Sequence, residues 1–157
     1  GPRDQEALAA LESARIIIDH VRAGEKMAKK AHLPQMIARF ISTHHGTTKV
    51  EYFYKTYLQE NPGLAVDESD FAYPGPKPRS KEEAILMLAD SLEATSRTLK
   101  DPTGQEIDEL VEKILQKKID QKQLAESKLT FSDLEKCKEV FKKMLRSIHH
   151  VRIEYPK

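Results

Sequence analysis

Apolar residues recur along most of the chain at intervals of three and four positions, with charged residues between them. This spacing places apolar side chains on one face of an α-helix, whereas a half-buried strand would need strict alternation. Over about 5–31, the recurring positions are Leu8, Leu11, Ile17 or Ile18, Val21 and Met27 or Ala28. The pattern predicts a long first helix with these residues facing inward, weakened locally by Gly24.

Two shorter helices are predicted next. Pro34 suits the first turn of a second helix that ends near Gly46. The predicted inner face of this helix carries Ile37, Phe40, Ile41 and His44. Thr48 is the predicted cap of a third, aromatic-rich helix that stops at Asn61-Pro62-Gly63, and its aromatic residues are expected to be core.

A proline-rich connection from Leu64 to Arg79 separates these helices from three later ones. Each later helix is predicted to begin with a capping box, in which a Ser or Thr precedes a Glu by three positions. The pairs are Ser80 with Glu83, Thr103 with Glu106, and Ser132 with Glu135. Residues 151–155 alternate like a short strand or an extended tail. The sequence therefore predicts an all-α bundle of about six or seven helices.

Length and charge narrow the function classes. A chain of 157 residues fits one domain, and its formal net charge of +1 argues against general binding to DNA, RNA or anionic lipid. The longest apolar stretches fall far short of the roughly 20 residues that cross a bilayer. The opening Gly1-Pro2 is typical of a cleaved expression tag, which leaves 3–157 as the expected domain.

Three histidines and an aspartate are the candidate metal ligands: His20, His44, His45 and Asp90. Adjacent helical residues point about 100° apart, so His44 and His45 can reach one ion only near a helix end or from different sides. Asp90 lies in an apolar run, where a carboxylate needs a cation, a metal or hydrogen-bond donors. The competing interpretation is that the histidines are ordinary buried residues. The second doublet, His149-His150, is expected to be structural or solvated.

Two basic residues are candidate phosphate contacts. Lys77 would act as a point charge and Arg97 through its bidentate guanidinium. Most such residues are simply solvated, so the chemistry alone leaves both interpretations open.

Four motifs occur in one order and resemble the seven-transmembrane-receptor HD family: Ser13–Val21 (SARIIIDHV), His44–Thr48 (HHGTT), Tyr73–Pro78 (YPGPKP) and Leu88–Ser91 (LADS). The tail from Ile148 to Pro156 is also similar to the end of those proteins. The likeness covers nearly the whole chain from about Leu11.

The resemblance implies a membrane protein whose all-α HD domain, at the cytoplasmic face of the bacterial membrane, hydrolyses cyclic di-AMP to linear pApA. It implies a two-metal centre of iron or manganese. In that pattern His20, His44 and His45 serve one metal and Asp90 serves the other.

The chain departs from the family pattern in one respect. That pattern begins with an isolated histidine and a His-Asp doublet, and neither precedes His20 here. Because the family's aspartate bridges both metals, a mononuclear or metal-poor site with impaired activity is expected. Two alternatives stay open: a non-catalytic module that binds a metal or a cyclic dinucleotide, and a structural bundle that relays signals.

Overall fold

The computed structural model describes residues 2–151, with side chains from Gln5 to Val151. Within that range the regular structure is helical and there is no strand, which confirms the predicted all-α class. Gly1 of the predicted tag remnant lies outside the described residues. So does most of the strand or tail predicted for 151–155.

The described helices are α1 (Pro2–Lys30), α2 (Gln35–Thr43), α3 (Glu51–Glu60), a short 3₁₀ helix (Glu68–Phe71), α4 (Lys81–Ser96), α5 (Gly104–Asp120) and α6 (Phe131–Ile148). The chain divides into two compact units, Gly1–Lys77 and Pro78–Lys157. The first unit holds α1 to α3 and the second holds α4 to α6. Among residues 2–151, no helix combines the length and apolarity needed to cross a bilayer.

In the first unit, α1 packs against α2 and α3 through a face of mostly small residues. The buried positions of α1 are Ala7, Ala10, Ala14, Ile18, Val21 and Ala28. Leu8, which periodicity placed inside, is 58% exposed, so that part of the prediction was wrong. Of the pair Met27 or Ala28, Ala28 is the buried residue. Small side chains let helix axes approach closely, so four alanines form most of this interface, together with Ile18 and Val21.

Gly24 does not interrupt α1, which is continuous from Pro2 to Lys30. A Cβ atom at Gly24 would lie 2.8 Å from Cγ2 of Ile41 on α2. The glycine therefore allows α2 to pack directly on α1. Ile37, predicted to face inward, is 48% exposed.

The predicted cap of α3 was wrong. Val50 precedes the helix and makes no side-chain capping bond. The Thr48 hydroxyl instead donates to the carbonyl of His45, and the Thr48 carbonyl accepts the amide of Tyr73. Thr48 is thus used by a contact distant in sequence, which helix-start patterns do not detect. The predicted stop is confirmed, because Asn61 is the C-cap.

In the second unit, α5 packs against α4 and α6 around one apolar core. The fully buried core residues on α4 and α5 are Ala84, Met87, Leu88, Leu92, Ile107, Val111 and Leu115. Ile85 and Leu86, in the apolar run of α4, are more than one-third exposed. The capping hydroxyls of Ser80 and Thr103 accept the amides of Glu83 and Glu106, as predicted.

The capping residue of α6 differs from the prediction. Thr130, not Ser132, accepts the amide of Asp133 at 3.0 Å, and the Asp133 carboxylate accepts the Thr130 amide at 3.0 Å. The Lys81 ammonium lies 2.8 Å from the same carboxylate. Lys81 first, and then the Thr130 amide, lower the pKa of Asp133 to about 2. The Asp133 carboxylate is bonded both to the Thr130 amide and to the Lys81 ammonium, and both contacts support a helix start at Thr130.

We expect Thr130→Ala to lower the free energy of unfolding by about 1 kcal/mol, because an orphan helix amide loses its acceptor. Ser132→Ala is the matched control. Its hydroxyl lies on the exposed first turn, so its effect should stay within about 0.5 kcal/mol. Urea unfolding followed by circular dichroism measures both. Equal losses for the two variants would show that the cap is assigned wrongly.

Candidate metal centre

Three of the four predicted ligands come together in the first unit. His20 lies on α1, His44 is the C-cap of α2, and His45 follows in the next turn. One ring nitrogen from each histidine lies within 4.8 Å of the others. His20 is exposed and the doublet is half-buried, so the cluster is accessible from solvent.

Backbone carbonyls fix the orientation of two rings. Nδ1 of His20 contacts the carbonyl of Ile17, and Nδ1 of His44 contacts the carbonyl of Ile41 at 2.6 Å. A carbonyl oxygen only accepts, so each Nδ1 must carry the proton and donate. In the neutral rings Nε2 then carries the lone pair. This is the usual arrangement for histidines that ligate a metal.

The two Nε2 atoms of His20 and His44 face each other at 3.5 Å. Two nitrogens each about 2.1 Å from one tetrahedral ion lie roughly 3.4 Å apart. Two opposed lone pairs repel unless a cation or a proton lies between them. The spacing and the donor atoms therefore fit a divalent ion shared by the rings.

The rings of His44 and His45 can both approach one ion because α2 ends at this doublet. Gly46 is buried with φ of 53°, a left-handed conformation that favours glycine, and its amide donates to Thr43. The chain reverses at this turn, which leaves the rings of His44 and His45 with centroids 4.0 Å apart. Of the two arrangements that the 100° spacing left open, the helix end is the one observed, since His44 is the C-cap of α2.

Tyr73 completes the cluster and was not anticipated as a contact. Its ring stacks on His45 with centroids 4.3 Å apart and planes 19° apart, and it meets His20 edge-on at 6.0 Å. It is 9% exposed and packs with Ile18 and Val21. The sequence identified Tyr73 only as part of a motif, because a contact across so long a chain separation leaves no periodic signal.

Three polar side chains, those of Lys49, Tyr54 and Glu68, join the 3₁₀ helix to α3. Glu68 accepts from Lys49 Nζ at 2.7 Å and from the Tyr54 hydroxyl at 3.0 Å, and Lys49 Nζ lies 4.7 Å from the centre of the Tyr54 ring. The hydrogen bonds from Lys49 and Tyr54 lower the pKa of Glu68, and the bond to Glu68 raises the pKa of Lys49. The Glu68 side chain is 60% exposed, so its ion pair with Lys49 orients residues 68–71 more than it stabilises the fold.

The remaining predicted residues lie elsewhere along the chain. Asp90 is half-buried on α4 of the second unit, less enclosed than its apolar neighbours suggested. Lys77 is half-buried at the end of the first unit, after the proline-rich segment. Arg97 is exposed at the end of α4, with Nε 3.1 Å from Glu93. Their functional roles stay predictions.

Comparison with known proteins gives a family match. The HD domain family model matches residues 1–95. The chain is 38% identical to the cyclic-di-AMP phosphodiesterase PgpH of Bacillus subtilis over 92% of its own length and 20% of the relative's. It is 35% identical to PgpH of Listeria monocytogenes over 99% of its own length and 21% of the relative's. The chain thus spans about a fifth of these relatives.

A solved structure agrees. The HD domain of L. monocytogenes phosphodiesterase PgpH in complex with cyclic-di-AMP is 35% identical to this chain, with a TM-score of 0.86. The match covers 93% of this chain and 68% of that one.

Proposed function

The chain belongs to the HD domain family, and we propose that it is the metal-dependent part of a phosphodiesterase that hydrolyses cyclic di-AMP to pApA. HD-domain membership implies binding of a divalent metal. The observation that carries the proposal is the cluster of His20, His44 and His45, whose ring nitrogens converge within 4.8 Å. The similarity to the cyclic-di-AMP phosphodiesterase PgpH supplies the substrate class.

In this proposal the three imidazoles hold one ion. Carbonyl contacts at Nδ1 keep the protons of His20 and His44 away from the metal side, so binding requires no tautomer change. When bound, the metals of such a centre lower the pKa of water and neutralise charge on the phosphodiester. The exposed side of His20 leaves room for a substrate to approach.

Asp90 is proposed as a ligand of the second metal, by the family resemblance. We propose iron or manganese, the two metals that the family resemblance implies. Imidazole donors are compatible with iron and carboxylate donors with manganese. Lys77 and Arg97 are proposed to bind phosphate oxygens, Lys77 as a point charge and Arg97 after exchanging Glu93 for the substrate.

Incubation of the 157-residue chain with Mn²⁺ and cyclic di-AMP tests the proposal. We expect pApA to form at a reduced rate, because the His-Asp doublet of the family pattern does not precede His20 in this chain. The control is the double variant H44A/H45A, which removes two proposed ligands. Binding of the dinucleotide without product above this control would overturn hydrolysis in favour of a binding module.

The same assay tests the two proposed phosphate contacts, Lys77 and Arg97. We expect Lys77→Met and Arg97→Met each to raise KM for cyclic di-AMP by about tenfold, the effect of losing roughly 1.4 kcal/mol of phosphate binding. Lys100→Met, which removes an exposed lysine shortly after α4, is the control. Unchanged KM and kcat in either variant would remove that residue from the substrate site.

A further inference from the structure

We propose that Tyr73 is a positioning residue for the metal centre, acting through the face of its ring on His45. The inference deepens the proposed function and rests on it, since it assigns a role toward the same three-histidine cluster. The face of the Tyr73 ring lies against the His45 ring, and carbonyl contacts at Nδ1 orient the other two histidines, His20 and His44.

The stack restricts rotation of the His45 ring. At a centroid distance of 4.3 Å and an angle of 19°, the phenol covers one face of the imidazole, and a ring turned far from this plane would collide with it. Tyr73 has little freedom to move away. It is 9% exposed and packs against Ile18 and Val21 on α1. His45 therefore keeps its orientation before any ion arrives.

The electrostatics favour the same arrangement. The face of an aromatic ring carries negative charge density. An imidazole that binds a cation gains positive character, so its contact with that face strengthens on metal binding. The edge-on contact of Tyr73 with His20 gives one residue contact with two ligands. The role depends on the ring face and not on the hydroxyl.

Two hydrogen bonds link Tyr73 to His45 through Thr48. The Tyr73 amide donates to the Thr48 carbonyl at 2.9 Å, and the Thr48 hydroxyl donates to the His45 carbonyl at 2.7 Å. An isolated bridge pairs Lys49 with Ala72, and Val50 donates to Phe71 at 2.8 Å. These bonds hold residues 71–73 alongside 48–50, which sets the height of the phenol over the imidazole.

Replacement of the ring tests the proposal in the full 157-residue chain. Tyr73→Leu keeps apolar bulk and removes the aromatic face, while Tyr73→Phe keeps the face and removes the hydroxyl. Titration with Co²⁺ alone, followed by calorimetry and by the visible absorption of the bound ion, gives affinity and ligand field. We expect Y73L to weaken Co²⁺ affinity by about 10- to 100-fold and to shift the spectrum, and Y73F to restore both. Tyr57→Leu is the control, because it removes an aromatic ring that packs on Phe71 and lies outside the three-histidine cluster.

A second readout needs no metal. In metal-free protein, ¹⁵N NMR reports the tautomer and ring mobility of His45. We expect Y73L alone of the three variants to alter them. Wild-type affinity and spectrum in Y73L, or equal losses in Y73L and Y73F, would overturn the role. If the wild type binds no Co²⁺, an unaltered His45 NMR signal in Y73L would also overturn the positioning role of Tyr73. Tight metal binding without hydrolysis would overturn the proposed function and leave this inference standing.

Discussion

His44→Ala should weaken the affinity of the chain for Co²⁺ or Mn²⁺ by about 100-fold or more and remove hydrolysis of cyclic di-AMP. Loss of a partner that only orients a ligand typically costs 10- to 100-fold in metal affinity, and loss of the ligand itself should cost at least the upper end of that range. His44 contributes an Nε2 that faces the Nε2 of His20 at 3.5 Å, so its removal leaves that nitrogen without an opposing donor. Calorimetric titration measures the affinity, and product analysis measures the hydrolysis.

The control for this prediction is His32→Asn. His32 is an exposed histidine at φ of 54°, a conformation that asparagine also tolerates, and it lies outside the three-histidine cluster. Its substitution should leave metal affinity unchanged. Circular dichroism of both variants verifies that each remains helical. If His44→Ala retained full metal affinity while folded, the cluster would not be the site.

Asp90→Asn should lower the rate of hydrolysis by about 100-fold or more while leaving Co²⁺ affinity at the three histidines nearly unchanged. Asparagine keeps the size of the side chain and removes the charge that Asp90 is proposed to supply to a second metal. A catalytic metal is worth several kcal/mol of transition-state stabilisation, and each 1.36 kcal/mol corresponds to tenfold in rate. The measurement is kcat at saturating Mn²⁺, with calorimetry on the same sample.

Glu82→Gln is the matched control, because Glu82 is an exposed carboxylate on the same helix and has no proposed role toward the metal or the substrate. Its kcat should stay close to that of the wild type. A wild-type rate in Asp90→Asn would remove Asp90 from the catalytic centre. Equal reductions in both variants would point to the charge of α4 in general and not to a ligand.

Local patterns in the sequence predicted the helices well and their contacts less well. The predicted caps are confirmed where only residues close in sequence are involved, as at Ser80 and Thr103. They are wrong where a residue distant in sequence contacts the same segment. Thr48 is engaged by the amide of Tyr73, and the cap of α6 is stabilised by Lys81 on another helix. The hydrophobic pattern also selected Leu8 and not Ala7 or Ala10, which are the buried residues in that part of α1.

The metal cluster could be predicted as a set of residues but not as a geometry. The order of the motifs pointed to His20, His44 and His45. No pattern indicated that Ile17 and Ile41 orient two of the rings, or that Gly24 allows α2 to pack directly on α1. Each of these contacts depends on packing between elements, which a single sequence does not encode as a periodic signal.

X-ray absorption at the cobalt edge, on the 157-residue chain loaded with one equivalent of Co²⁺, would identify the atoms that surround the ion. We expect three imidazole nitrogens at about 2.1 Å from the ion, with the outer-ring scattering typical of histidine. H44A should lose one of these nitrogens. An ion surrounded only by oxygen, or a chain that takes up no cobalt, would contradict the assignment of the three histidines as a metal site.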